Sequence, residues 1–388
     1  MEKVKNMPSL RFCEFKGEWE SKKLGEITKV SSGGTPSRTK SNYWNGNIPW
    51  VSTTLIDFNT IIETTEFITN DGLANSSAKI FPKGTLLMAM YGQGKTRGKV
   101  AILGIEATTN QACGAIIPDN DKLNELFLFQ NLAGRYDEIR DLSNQGGQEN
   151  LSGEIIKNIL ITLPTLPEQT KIATFLTAVD EKLQALKQKK SLLEQYKKGV
   201  MQQIFSQKLR FKNDNGNDFE VWEVKKLGEL SKITTGKLDA NAMVENGEYR
   251  FYTCAKDYYK IDKFAFDTEA LLISGNGANV GYIHYYKGKF NAYQRTYVLD
   301  GFKENIIYVK FFLDHFLYLR INNEKKEGNT PYIVLSTLSE MVIQLPSFKE
   351  QTKIANFLSA IDDKINHSQS QIEKTEVWKK GLLQQMFC

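Results

Sequence analysis

The run Ala89-Met90-Tyr91-Gly92-Gln93-Gly94-Lys95-Thr96 nearly spells a phosphate-binding P-loop. Such a loop needs a helix immediately after it, whose first backbone amides cradle phosphate. Here Arg97-Gly98 and then Lys99–Leu103 read as a second strand instead. The counterpart in the second half, Ser274-Gly275-Asn276-Gly277-Ala278-Asn279-Val280-Gly281, has no Lys-Thr pair. The pattern therefore fits a glycine-rich hairpin better than nucleotide hydrolysis. Tyr91, Gln93, Lys95 and Arg97 would be its exposed side chains, of types that contact base edges and phosphates.

Several other loops carry the same chemistry on glycine-flanked backbone. They offer Thr35, Ser37, Arg38 and Lys40 beside Tyr43-Trp44, then Gln111, then Gln145, Gln148 and Asn150. The second half offers Lys256 and Tyr258, Asn276 and Asn279, Gln294 and Arg295, and Asn329 and Tyr332. Gln, Asn, Arg and Lys on such loops can reach into a groove and match base edges. The competing reading of each is a polar loop that is merely exposed.

Catalytic signatures are missing. None of the 9 prolines are adjacent, so the Asp/Asn-Pro-Pro-aromatic signature of amino-group DNA methyltransferases is absent. No helicase set, HExxH or GxSxG with plausible partners stands out, and no carboxylate pair has a spacing that marks a hydrolase. The 3 histidines, His284, His315 and His367, are scattered, and the 4 cysteines, Cys13, Cys113, Cys254 and Cys388, have neither zinc nor disulfide-framework spacing. No apolar run approaches the ~18 residues of a membrane helix, and no apolar stretch follows Lys3 and Lys5. We expect no catalytic residue, metal, cofactor or membrane contact in this chain, and a reduced, cytoplasmic setting. The net charge of +5 permits nucleic acid without arguing for it.

The elements that would position these loops come from a long internal repeat. Lys22-Lys23-Leu24-Gly25-Glu26 returns as Lys225-Lys226-Leu227-Gly228-Glu229, and Glu168-Gln169-Thr170-Lys171-Ile172-Ala173 as Glu350-Gln351-Thr352-Lys353-Ile354-Ala355. Each copy ends in a tail whose seam positions step by four and three; they are apolar except at Lys190 and Lys197 in the first tail and at Ser368, Thr375 and Lys379 in the second. The first seam is Ile172, Leu176, Val179, Leu183, Leu186, Leu193, Val200 and Ile204. The second is Ile354, Leu358, Ile361, Ile365, Ile372, Leu382 and Met386. That spacing predicts two coiled-coil helices, most simply paired antiparallel. Thr165-x-x-Glu168 and Ser347-x-x-Glu350 read as capping boxes at their starts. Between the tails, short β-like runs mix with helical stretches at Leu123–Asp141 and Ile306–Asn322. The expected fold is α+β: two globular parts separated by two long antiparallel coiled-coil helices, with a pseudo-twofold internal repeat. A fainter repeat sets Gly92-x-Gly94, Gly98 and Gln111 against Gly275-x-Gly277, Gly281 and Gln294 at one constant offset.

With these pieces in place, the chain resembles the DNA-specificity subunits of type I restriction–modification systems along essentially its whole length. The matching residues are Trp19-x-x-x-Lys23-Leu24-Gly25-Glu26, Gly33-Gly34-Thr35-Pro36-Ser37 and Tyr43-Trp44-Asn45-Gly46-x-Ile48-Pro49-Trp50. In the second half Trp222-x-x-x-Lys226-Leu227-Gly228-Glu229 matches, as do the Leu-Pro…Glu-Gln-x-Lys-Ile-Ala openings of both helices. The resemblance implies target-recognition domains at 1–163 and 208–344, and spacer helices at 164–207 and 345–388. It implies that each domain reads one half of a bipartite site in double-stranded DNA. It implies two modification subunits that methylate adenine with S-adenosylmethionine, and two restriction subunits that use ATP and magnesium. The alternative is a stand-alone coiled-coil scaffold whose domains bind other ligands.

Overall fold

The computed structural model describes residues 7–92, 95–142, 150–324 and 332–387. It divides into two compact units, Met1–Lys187 with Ser370–Cys388, and Gln188–Gln369.

In the first unit the strands are β1 (Glu20–Lys23), β2 (Thr28–Ser32), β3 (Trp44–Val51), β4 (Thr60–Ile61), β5 (Glu66–Ile68), β6 (Ile80–Phe81), β7 (Leu86–Ala89), β8 (Val100–Leu103), β9 (Ala107–Thr109), β10 (Cys113–Pro118) and β11 (Leu160–Leu163). The helices are α1 (Leu24–Ile27), α2 (Asn70–Ala74), α3 (Glu125–Gly134), α4 (Tyr136–Asp141), α5 (Gly153–Asn158) and the long α6 (Leu166–Phe205), which continues into the second unit. A five-stranded sheet runs β2-β10-β7-β8-β4, and a four-stranded one β5-β3-β9-β6. Every residue of β7 and β8 is buried. The period of two splits them between two cores. Leu86, Met88, Val100 and Ile102 join the core that α3 and α6 cover, and Leu87, Ala89, Ala101 and Leu103 join a smaller one on the other face.

The second unit contains β12 (Glu223–Lys226), β13 (Lys232–Thr235), β14 (Tyr249–Tyr252), β15 (Tyr259–Ile261), β16 (Phe266–Ser274), β17 (Ile283–Ala292), β18 (Thr296–Asp300) and β19 (Val342–Leu345). Its helices are α7 (Leu227–Leu230), α8 (Ile306–Glu324), α9 (Leu335–Ser339) and α10 (Phe348–Met386), which continues into the first unit. The order β2-β10-β7-β8 returns as β13-β18-β16-β17, extended here by β14 and β15. In each unit the entering strand pairs antiparallel with the one that feeds the long helix, β1 with β11 and β12 with β19.

Both helices pair antiparallel within the units. In the first, Asp180 on α6 meets Lys379 on α10 at 2.5 Å and Lys187 meets Glu376 at 2.7 Å. In the second, Lys197 on α6 meets Asp362 on α10 at 2.6 Å. Asp180 and Lys197 occupy the same repeat positions as Asp362 and Lys379. Ile172, Leu176, Val179, Val200 and Ile204 are buried, and Leu183, Leu186 and Leu193 half-buried. On α10, Ile354, Leu358, Ile361, Ile372, Leu382 and Met386 are buried and Ile365 half-buried. The polar seam residues Ser368 and Thr375 return their hydroxyls to the carbonyls of Lys364 and Gln371, one turn back.

Two local expectations need correction. The stretch Leu123–Asp141 is two helices rather than one. The chain breaks at Arg135 (φ −103°, ψ 21°), whose guanidinium donates to the Leu160 carbonyl at 2.7 Å and pairs with Glu138. The capping boxes do not close fully: the Glu350 amide donates to Ser347 Oγ at 3.5 Å, but the glutamate carboxylates have other partners. The Glu168 carboxylate receives Arg11 Nε and Nη2 at 2.7 and 2.8 Å. The Glu350 carboxylate receives Arg210 Nε and Nη2 at 3.1 and 2.7 Å, and Trp222 Nε1 at 3.1 Å. Next to them, Gln169 and Gln351 each accept from the backbone amide of a helix-capping asparagine, Asn124 and Asn305. Each also donates to a proline carbonyl, Pro164 or Pro346. The Glu-Gln pair thus clamps the long helix to the segment before its domain and to that domain's main helix.

Candidate nucleic-acid interface

In the first unit, Gly33-Gly34 leaves β2 pressed on the backbone of β9. A Cβ on Gly33 would lie 2.1 Å from the Thr109 carbonyl, so only glycine fits. The Gly34 amide donates to that carbonyl at 2.8 Å, and Trp50 Nε1 donates to the Gly34 carbonyl at 3.0 Å. Held so, Thr35 places its hydroxyl on Gln111 Oε1 at 2.6 Å. The hairpin between β7 and β8 joins the same end: the Met90 amide donates to the Ala112 carbonyl and the Leu151 amide to the Met90 carbonyl. The Gly33–Lys40 loop, the β7–β8 hairpin and the Asn110–Ala112 turn therefore converge.

The individual candidates fare differently. Ser37, Lys40, Tyr91, Lys95, Gln111 and Asn150 are exposed. Arg38 is exposed but engaged. Its guanidinium stacks 3.7 Å from the Trp44 ring and 4.8 Å from Trp50, and pairs with Glu66. Lys40 Nζ donates to the Tyr43 hydroxyl at 3.0 Å. Arg97 is half-buried rather than exposed. Gln93, Gln145 and Gln148 lie outside the described residues.

The second unit builds an equivalent cluster. Gly236 follows β13, with space for a Cβ closed by the Ala292 carbonyl 1.9 Å away. The Gly275 amide donates to the Arg295 carbonyl, and the Ile333 amide to the Gly275 carbonyl, both at 2.8 Å. Asn279 Nδ2 donates to the Cys254 carbonyl at 3.0 Å, and Gln294 Nε2 to Asp239 at 2.9 Å. Those two amides help hold the loops together. His284 Nε2 lies 3.0 Å from the Ala255 carbonyl. Burial pushes its pKa below the usual histidine range, so it serves as a neutral strut donating from Nε2. Lys256, Tyr258, Arg295 and Tyr332 are exposed and Asn276 half-buried. Asn329 lies outside the described residues.

Comparing the clusters corrects the constant offset between the hairpins. Gly98 and Gln111 do correspond to Gly281 and Gln294: the Gly98 amide reaches the Ala89 carbonyl as the Gly281 amide reaches that of Ser274. But Ala89 pairs with Cys113 as Ser274 pairs with Thr296. The residue matching Gly275 is therefore Met90, not Gly92, and the first hairpin is the longer. Its second strand, β8, runs straight back along β7, so no helix follows the P-loop-like run.

One group escaped the sequence reading. Arg250 on β14 lies 4.3 Å from the Tyr258 ring centroid and 4.4 Å from that of Tyr286, and its Nη1 donates to the Tyr252 hydroxyl at 3.3 Å. Aromatics interleaved with basic residues in Tyr249-Arg250-Phe251-Tyr252 and Tyr285-Tyr286-Lys287 were the available signal. Among the described residues no cluster of His, Cys, Asp and Glu could hold a metal ion, and no helix is long and apolar enough to cross a membrane.

The family described as "Type I restriction modification DNA specificity domain" matches residues 16–195 and again 220–375. The MjaIX specificity subunit of a type I restriction enzyme from Methanocaldococcus jannaschii is 26% identical over 94% of this chain and 92% of its own length. The EcoDI specificity subunit of Escherichia coli is 42% identical over 39% of this chain and 34% of its own length. Among solved structures, a type I restriction–modification S subunit from M. genitalium superposes with a TM-score of 0.67, at 17% identity, over 98% of this chain and 99% of the other. That likeness concerns the fold.

Proposed function

Because the chain belongs to the type I restriction–modification DNA specificity family, we propose that it reads a bipartite sequence in double-stranded DNA for a methyltransferase and a nuclease carried on other chains. Residues 1–163 and 208–344 are the two readers, and residues 164–207 and 345–388 the helices that set their spacing. The observation that carries this reading is the double family match, coupled to one polar loop cluster per unit. Side chains at the rims of those clusters, Ser37, Lys40, Tyr91, Lys95, Gln111 and Asn150 in the first and Lys256, Tyr258, Asn276 and Arg295 in the second, contact bases and phosphates. Two modification subunits dock here and methylate adenine with S-adenosylmethionine. Two restriction subunits add ATP- and magnesium-dependent cleavage. This chain supplies neither catalytic residue nor cofactor, and works in the cytoplasm beside the DNA it reads.

Mapping methylated bases in the host genome with and without the gene tests the proposal. A bipartite motif should vanish on deletion and return on complementation. An unchanged methylome would reject it. A purified chain, with its modification subunits, that shifts no DNA bearing the motif would return the chain to the scaffold reading.

A further inference from the structure

We propose that Arg250 reads a guanine in the half-site of the second unit, its guanidinium plane fixed by Tyr258 and Tyr286. The inference rests on that unit being a DNA reader. Arg250 is half-buried, and among the described residues no carboxylate lies within ion-pairing distance of it. Arg11, Arg38, Arg135, Arg210 and Arg320 each have one. The contrast with Arg38 is direct: both guanidiniums lie on aromatic faces, but Glu66 neutralises Arg38, and among the described residues no carboxylate does so for Arg250.

A half-buried cation without a counter-ion is costly unless π faces and a later ligand compensate it. The tyrosine rings supply the first part. They also strip water from the guanidinium and fix its orientation, which cuts the ordering cost of a directed contact. The ligand chemistry follows from the planar fork of N–H donors, which matches the O6 and N7 acceptors of guanine. Phosphate contact suits mobile, solvated amines, and Lys256 and exposed Lys260, opposite Arg250 in the β14–β15 register, are placed for that role. The Tyr258 loop is tied to the rest of the cluster through Cys254 and Ala255, so Arg250 lies beside the reading loops.

The test uses the complete modification complex. First, each guanine of the second half-site is replaced in turn by 7-deazaguanine, which lacks the N7 acceptor, and binding is measured. One position should lose roughly ten-fold affinity. If no guanine in that half-site is sensitive, the proposal is overturned without recourse to any variant. Second, Arg250→Lys and Arg250→Gln complexes are mapped for methylation. The expected result is degeneracy at that same position, with the other half-site unchanged. Uniform weakening with an intact motif and a shallower salt dependence would make Arg250 a phosphate contact and sink the base-reading role. A wild-type complex that methylates no bipartite motif would instead reject the reading of the whole chain.

Discussion

At the scale of single residues, the buried glutamates are the least legible in the sequence. Glu168 and Glu350 stand at helix starts in a capping pattern, and a local rule accounts for them. Their partners, Arg11 and Arg210, are far away in sequence, so no window-based reading connects them. The clue was a second repeat, Leu10-Arg11-Phe12 against Leu209-Arg210-Phe211. Its phenylalanines meet Phe175 and Phe357 on the long helices at ring distances of 5.8 and 5.5 Å. The Glu350 side chain is fully buried while Arg210 keeps 24% exposure. Replacing Glu350 by Gln should therefore destabilise the chain by about 3 kcal/mol, the low end for breaking a buried pair. Urea unfolding of the variant measures this. A loss below about 1 kcal/mol would put the pair with screened surface bridges. Cysteine chemistry gives a second check at this scale. Burial pushes the Cys113 thiol up to about 12, so at neutral pH it stays protonated and unreactive, because alkylation needs the thiolate. Cys13 is exposed. Iodoacetamide mapping of the folded chain should label Cys13 and spare Cys113 until denaturant is added.

At the scale of elements, the helices were legible because a 4-3 apolar rhythm sustained over the 40 residues of α6 fits little besides a helix seam. The strands β7, β8, β16 and β18 were legible as short apolar runs. What the sequence could not convey was that those runs face two different cores, since burial on both sides erases the alternation that reveals a face. Hairpin length was lost for a related reason: the glycines are conspicuous, but the ladder bonds of Ala89 and Ser274 set the register. The seam carries a prediction about spacing. Inserting one heptad after Lys190 and another after Ile372 lengthens each helix by ~10 Å and keeps the rhythm. On the proposed ruler role, that equals about three base pairs and rotates one half-site by roughly 100° around the duplex. The variant complex should then lose its original target or prefer a wider gap, with both half-site sequences kept. Methylation of targets with graded gaps reads this out. A folded variant with the old gap preference would mean that something other than the helices sets it. A one-residue insertion should instead break the packing and lower stability.

At the scale of the whole molecule, the repeat predicts that readers exchange independently. Replacing residues 208–344 by another recognition domain should change one half-site and spare the other. If both changed in the methylome of the chimera, the two-reader proposal would fail. The clamp adds a condition: Arg210 and Asn305 lie inside the exchanged segment, while Glu350 and Gln351 lie outside. A donor domain must bring its own arginine and capping asparagine, or the chimera leaves a buried carboxylate without its cation.

The division into units also bears on how the chain is made. The second unit is one continuous segment, Gln188–Gln369, whereas the first also needs Ser370–Cys388. Leu382 and Met386 are buried in the first unit's core, and Phe387 meets Phe127 there at 5.2 Å. During synthesis the domain that leaves the ribosome first is thus the last to be completed. Until residue 387 has been added, Phe175 waits for Trp378 and Phe127 for Phe387, and a ribosome stalled anywhere in the second half holds a sticky, half-closed first unit. Nascent chains arrested at Gln369 should be far more sensitive to protease within residues 10–187 than chains that include all of α10.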